Sequence, residues 1–270
     1  MNDDFPKTAF IGGGNMAQAI LGGLRAQGVP ASSFVVVEPS DQARERLLQT
    51  CGQEAQPAPD ERLAACELVV WAVKPQVFEQ AAAAARNWVA QAVQLSIMAG
   101  VRCQALQQAT GAPRIVRAMP NTPALIGRGI AGLYAVPAVD AGARAQAAAV
   151  LAPTGSLVWV SQESDLDAVT ALSGSGPAYM FLVIEAMVQA GAEMGLPPAQ
   201  ARQLAQETMA GAAALAMQSS EEPATLRERV TSRGGTTHAA LTVMEEAGVK
   251  PALVRAMHAA CTRARELGGG

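Results

Sequence analysis

Phe10-Ile11-Gly12-Gly13-Gly14-Asn15-Met16-Ala17 is the stretch that decides the fold of this chain. It spells G-x-G-x-x-A between an apolar run, residues 8–11, and an amphipathic run, residues 16–26. Gly12 permits a tight turn, and Gly14 lets the backbone approach a pyrophosphate. Small Ala17 allows close packing of helix on strand, while the helix N-terminus faces the phosphate charge. A tight strand-to-helix turn with no ligand is the plainer reading of the same residues. The strand–turn–helix setting at the first strand favours the dinucleotide.

Outward from this turn, residues 34–37, 68–73 and 93–97 are apolar, partly β-branched runs of strand length. Residues 41–51 and 76–89 suit helices. The alternation predicts a parallel sheet covered on both faces. Residues 114–119, 130–136 and 157–160 add strands, with an Ala-rich helix at 140–151. Beyond Ser161 the strand pattern stops, and Ala, Met, Leu, Glu and Gln dominate. Helices are expected over 165–172, 178–194, 198–218, 223–230, 237–247 and 251–266. The reading is α/β: a Rossmann-type doubly wound sheet in residues 1–161, then an all-helical domain in residues 162–270. These Ala/Met-rich helices exceed what one small bundle buries, which points to a subunit interface.

Composition narrows the function. The chain has 270 residues, 50% of them hydrophobic and only 4% aromatic, with a net charge of −3. No basic stripe points to nucleic acid. Lys7, Lys74 and Lys250 are the only lysines. Cys51, Cys66, Cys103 and Cys261 are scattered, with no metal-ligand spacing, and read as reduced thiols of a cytosolic protein. No metal is expected. Residues 1–6 are short and acidic, unlike a secretory signal. The apolar run 178–184 stops at Glu185, too short to span a bilayer.

Several loops at strand ends carry candidate binding groups. Glu38 ends the second strand, where an acid suits the ribose 2′-OH of NAD; Ser40 and Arg44 follow and suit the 2′-phosphate of NADP. Both readings stay open, beside a third in which Glu38 faces solvent. Ala72-Val73-Lys74-Pro75, the Met98-Ala99 turn and Asn121-Thr122 between two prolines close further strands, and should converge on one edge. Ser173-Gly174-Ser175-Gly176-Pro177 has no strand before it and reads as a kink between helices. Thr231-Ser232-Arg233-Gly234-Gly235-Thr236-Thr237-His238 places two glycines and two threonines before a helix. The threonines either cap that helix or, with the backbone amides, face a small anion. His238 reads as a helix-surface residue.

Together these motifs resemble the pyrroline-5-carboxylate reductase family: FIGGGNMA (10–17), AVKP (72–75), RAMPNTPAL (117–125), LSGSGPAY (172–179) and SRGGTTHAAL (232–241). The resemblance runs over essentially the whole chain. It implies NAD(P)H-dependent reduction of L-1-pyrroline-5-carboxylate to L-proline, with NADP(H) preferred and NAD(H) possible. It implies a cytoplasmic protein whose helical domain dimerises by interlocking, with dimers assembling into rings. Family cofactor contacts fall on Ile11, Gly12, Gly13, Gly14, Asn15, Met16, Ala72, Val73, Lys74, Pro75, Met98 and Ala99. A residue near Pro39 or Ser40 falls by the 2′ position, and Asn121 on the same edge. The substrate loop falls on Ser232, Gly234, Gly235, Thr236 and Thr237, with Ser175 beside the active site. Thr237 takes the family's place at the imine nitrogen. A substrate carboxylate suits the amides of Gly234, Gly235 and Thr236. Arg233 departs from the family's usual proline; it either stiffens the loop less or adds charge near the carboxylate. A β-hydroxyacid dehydrogenase shares the layout but uses a lysine acid in the helical domain, where this chain has only Lys250. A non-catalytic NADP-binding regulator is the other alternative, and the intact 234–237 run speaks against it.

Overall fold

The computed structural model describes residues 5–269. The opening stretch read above as lacking a secretory signal lies mostly outside them. Residues 5–175 and 260–269 form one compact unit, and Gly176–Ala259 a second.

The first unit is built on a seven-stranded sheet of order β2-β1-β3-β4-β5-β6-β7. Its strands are β1 (Thr8–Ile11), β2 (Phe34–Val37), β3 (Leu68–Trp71), β4 (Val93–Ser96), β5 (Ile115–Met119), β6 (Gly129–Ala135) and β7 (Gly155–Trp159). The first five pair in parallel, as the alternation of runs predicts. β6 instead runs antiparallel to β5, with Arg117 opposite Tyr134. Residues 120–128 join the two strands, too short a link for the crossover that parallel pairing needs.

Period-two side-chain alternation splits the buried strand residues between two faces. Phe10, Leu68, Val70, Leu95 and Val116 pack with Ile20, Leu21 and Leu24 of α1 (Asn15–Ala26), Leu47 of α2 (Asp41–Cys51) and Val150 of α5 (Ala141–Leu151). Ala9, Ile11, Val69 and Trp71 pack on the other face with Phe78, Ala82 and Ala85 of α3 (Phe78–Val89) and Leu106 of α4 (Cys103–Thr110). Buried Gln94 stays satisfied: it accepts from Trp71 Nε1 at 2.8 Å and donates to Val89 O and Ala92 O. The strand order reverses at β1, between β2 and β3, and such a switch point is where nucleotides bind in open α/β sheets.

After β7 come α6 (Asp165–Val169) and a π-helical turn, Thr170–Gly174. The second unit holds α7 (Gly176–Glu193), α8 (Pro198–Gln218), α9 (Pro223–Arg229), α10 (Thr236–Glu246) and most of α11 (Val249–Leu267). α7 and α8 touch where Gly191 faces Ala201: a Cβ on the glycine would lie 2.9 Å from that of the alanine. Among residues 176–259 only Gly191, Ala201 and Ala205 are buried. Phe181 and Leu182 are each 64% exposed. The helical stretch Asp165–Glu193 is long and apolar enough to cross a membrane by length and composition, where the sequence reading found no such run. That reading stopped at Glu185 and so missed the apolar residues on both sides of one carboxylate.

Candidate active site

The front turn is shaped by its neighbours. Gly12 has φ +103°, and a Cβ there would lie 2.6 Å from Ala72 O at the end of β3. A Cβ on Gly13 would lie 2.4 Å from Leu47 Cδ1. Gly14 caps α1 with extended backbone, and nothing lies within 4 Å of where its Cβ would stand. Gln18 Nε2 donates to Gly13 O at 2.8 Å and locks the turn. The amides of Gly14, Asn15 and Met16 find no acceptor among the described residues. A bare glycine at a helix N-terminus with open amides fits a pyrophosphate.

Ser40, Ala72, Val73, Lys74, Pro75, Met98, Ala99 and Asn121 all follow the carboxyl ends of β2 to β5, the edge that carries this turn. Their roles there differ. Glu38 does not stray into solvent: Oε2 accepts from Gly13 N at 2.8 Å and Oε1 from Ser40 N at 2.9 Å. Arg44 donates to Glu38 O and Pro39 O and pairs with Asp41, so its guanidinium is already engaged. Ser40 caps α2, its hydroxyl accepting from Ala43 N. Lys74, Pro75 and Ala99 are exposed, whereas Met98 is buried. Asn121 is buried, and its amide spans Ser173 O at 3.2 Å and Ile130 N at 3.0 Å. A ligand there would meet its backbone only.

The kink expected at 173–177 is a π-helical turn that runs into α7, a device common at functional sites. Gly174 lies against Met119: a Cβ there would stand 2.8 Å from Cε, the flexible end of that side chain. Ser175 N donates to Thr170 O at 2.8 Å.

In the second unit, Gly235 N donates to Ser232 O at 3.0 Å, and Gly234 has φ +76°. With no positive φ at Arg233, this is a type II turn with Arg233 second and glycine third. Proline favours that second position because its ring presets φ; exposed Arg233 takes it without that help. α10 then begins at Thr236 with Gly235 as its N-cap and no side-chain cap bond. The threonines therefore do not cap: they are the first two helical residues. Gly235 N is already engaged, so the amides of Gly234, Thr236, Thr237 and His238 are the ones left for an anion, and the set read from sequence loses only that of Gly235. Thr237 is half-buried and His238 exposed.

Sequence reasoning missed an ionic cluster. Glu163 Oε1 accepts from Cys103 N at 2.6 Å and from Arg117 Nη1 at 2.7 Å. Burial alone would raise the Glu163 pKa, but the Cys103 amide and the Arg117 guanidinium outweigh it and hold the carboxyl below its usual range. The stability from this pair is present above the ordinary carboxylate range and is lost as pH falls through the depressed pKa. Burial first, and then Glu163, push the Cys103 thiol up to about 12. Burial lifts Cys66 to about 11. Burial thus disfavours the thiolate form at both cysteines. No group of metal-binding side chains occurs among the described residues.

Comparison with known proteins covers the same regions. Residues 7–100 match the family described as NADP oxidoreductase coenzyme F420-dependent, and residues 163–267 that described as pyrroline-5-carboxylate reductase dimerisation. A pyrroline-5-carboxylate reductase of Pseudomonas aeruginosa is 42% identical over 97% of both chains. The solved pyrroline-5-carboxylate reductase of Coxiella burnetii superposes with a TM-score of 0.90 at 34% identity, over 98% of this chain and 99% of that one. The Plasmodium falciparum pyrroline carboxylate reductase, solved with NADP bound, gives 0.86 at 26% identity, over 97% and 98%.

Proposed function

This chain belongs to the pyrroline-5-carboxylate reductase family, and from that premise we propose that it reduces L-1-pyrroline-5-carboxylate to L-proline with NADPH, NADH serving as the alternative donor. The observation that carries the reading is the 42% identity running over 97% of both chains, which includes both glycine turns. When bound, the nicotinamide would supply a hydride for the C=N carbon.

The chain's own residues bind and orient. The open amides of Gly14, Asn15 and Met16 take the pyrophosphate, and the 72–75 and 98–99 loops border the rest of the nucleotide. Ser40, exposed at the head of α2, stands at the 2′ position. The amides of Thr236, Thr237 and His238 hold the substrate carboxylate, aided by the positive end of α10. Thr237 Oγ hydrogen-bonds the ring nitrogen. A cyclic imine is basic enough to arrive protonated, so the nitrogen needs no strong side-chain acid; the near-absence of lysine from the helical region accords with this. Catalysis rests on alignment.

The helical region self-associates. Three buried residues cannot hold residues 176–259 together, and the exposed apolar faces of α7 and α8 need a second copy. Dimers arranged in a ring, with dimerisation by interlocked helices, follow the family's habit. The unpaired cysteines suit the cytoplasm. The function is tested by following nucleotide oxidation: it should require pyrroline-5-carboxylate, and a rate equal to background with either nucleotide would refute the assignment.

A further inference from the structure

We infer that Arg102 is a positioning residue for this reaction, fixing the loop 97–100 by clasping the end of α11; the inference rests on the reductase reading above. Arg102 caps α4 in extended conformation. Its Nη2 donates to Asp167 Oδ2 at 2.9 Å, and Nε faces Gly268 O at 3.4 Å. Asp167 is buried. Gly268 follows the last turn of α11, where its amide bonds back to Ala264 O, so the guanidinium lies at the negative end of a helix.

Two glycines make the seat. A Cβ on Gly268 would lie 2.5 Å from Arg102 Nε, and one on Gly100 would lie 3.1 Å from Leu267 O. One residue on, the Cys103 amide is held by Glu163, which Arg117 holds in turn. The loop that carries Met98 and Ala99 is thus pinned at its far end by residues 163–167 and by the end of α11. Beside the clasp opens a cavity of about 910 Å³, with Pro75 and Gln76 of the β3 loop, Ala99, Gly100, Leu267 and Gly268 on its walls. The end of α11 and two loops assigned to the nucleotide thus line one cavity. A guanidinium spans both partners at once, whereas a lysine reaches one. Slack in this loop would misplace the reacting ring more than it would weaken nucleotide binding.

The test uses the full chain and Arg102→Ala, Arg102→Lys and Gly268→Ala, the last of which drives a methyl into the guanidinium. NADPH affinity is read by fluorescence titration, kcat with saturating substrate, and amide hydrogen exchange over 97–102 without nucleotide. Arg102→Ala should speed exchange there and lower kcat about tenfold, leaving NADPH affinity within about twofold. Arg102→Lys should fall between, and Gly268→Ala should copy Arg102→Ala without adding to it. If Arg102→Ala does not fold, the other two variants carry the test. Unchanged exchange and kcat, with only a lower unfolding temperature, would overturn the inference. So would an equal loss of NADPH affinity and kcat. An unaltered protein that fails to oxidise NADPH would instead overturn the reductase reading, and the exchange measurement would still decide the clasp.

Discussion

The two compact units differ in how they hold their glycine turns. In the first, a complete core stands under the turn, and neighbouring elements dictate its glycines: Ala72 O leaves no room at Gly12, and Leu47 none at Gly13. In the second, nothing lies within 4 Å of a Cβ on Gly234; only its φ of +76° calls for glycine. That turn is shaped by its own four residues, in a unit with almost no core. The first unit is finished within its own core, whereas the second, with three buried residues in 176–259, would draw its support from a second copy. Caps draw a line that runs through both units. α2 and α5 are capped by Ser40 and Asp140, whereas α1 and α10 begin at glycines and keep their amides open.

The largest effect should come from breaking that dependence. Leu182→Asp places a carboxylate on the exposed face of α7, where a second copy would have to bury it at a cost of several kcal/mol. Sedimentation should show dissociation, with the unfolding temperature and activity falling together; an unchanged assembly would mean that α7 does not lie in the interface. Next is Gly12→Ala, where a positive φ and a 2.6 Å approach leave no relief. Nucleotide affinity should drop by about a hundredfold or more, near 3 kcal/mol, while the association state persists. Titration of the variant with NADPH measures this.

Thr237→Ala should lower kcat about a hundredfold, the scale of one lost hydrogen bond to developing charge, and leave NADPH affinity alone. Retained turnover would take Thr237 out of the reaction. Glu38→Gln removes a carboxylate beside the front turn and keeps an acceptor for the Gly13 amide. The ratio of kcat/KM for NADPH over NADH should rise about tenfold, since the charge repels a 2′-phosphate by about 1 kcal/mol or more. An equal loss with both nucleotides would assign Glu38 to the turn alone. The smallest effect belongs to Arg233→Pro: presetting φ in the type II turn should add ~0.4–1 kcal/mol of stability, read by denaturant unfolding, with little change in turnover.

How legible these features are in the sequence follows from where their causes lie. β1, β2 and α2 begin and end as read, because buried strands are continuous apolar runs and Ser40 marks a helix start. α4 went unread: Cys103, Leu106 and Thr110 make a thin stripe, and the carboxylate that takes its first amide is Glu163, sixty positions away in the chain. The antiparallel β6 hides for a similar reason, its direction set by a short link and not by its own residues. At the candidate site the glycines are legible because backbone geometry is written locally. Which amides remain open is not, since that depends on the Ser232–Gly235 bond and on Glu38 reaching Gly13.

The central claim is that the start of α10 holds the substrate and the start of α1 holds the nucleotide. A crystal structure with NADP⁺ and L-proline bound tests it most directly. The account predicts the proline carboxylate within hydrogen-bond distance of the Thr236, Thr237 and His238 amides, the ring nitrogen at Thr237 Oγ, and the pyrophosphate at Gly14 to Met16. Proline bound away from α10, or a pyrophosphate away from the Gly12–Gly14 turn, would contradict it.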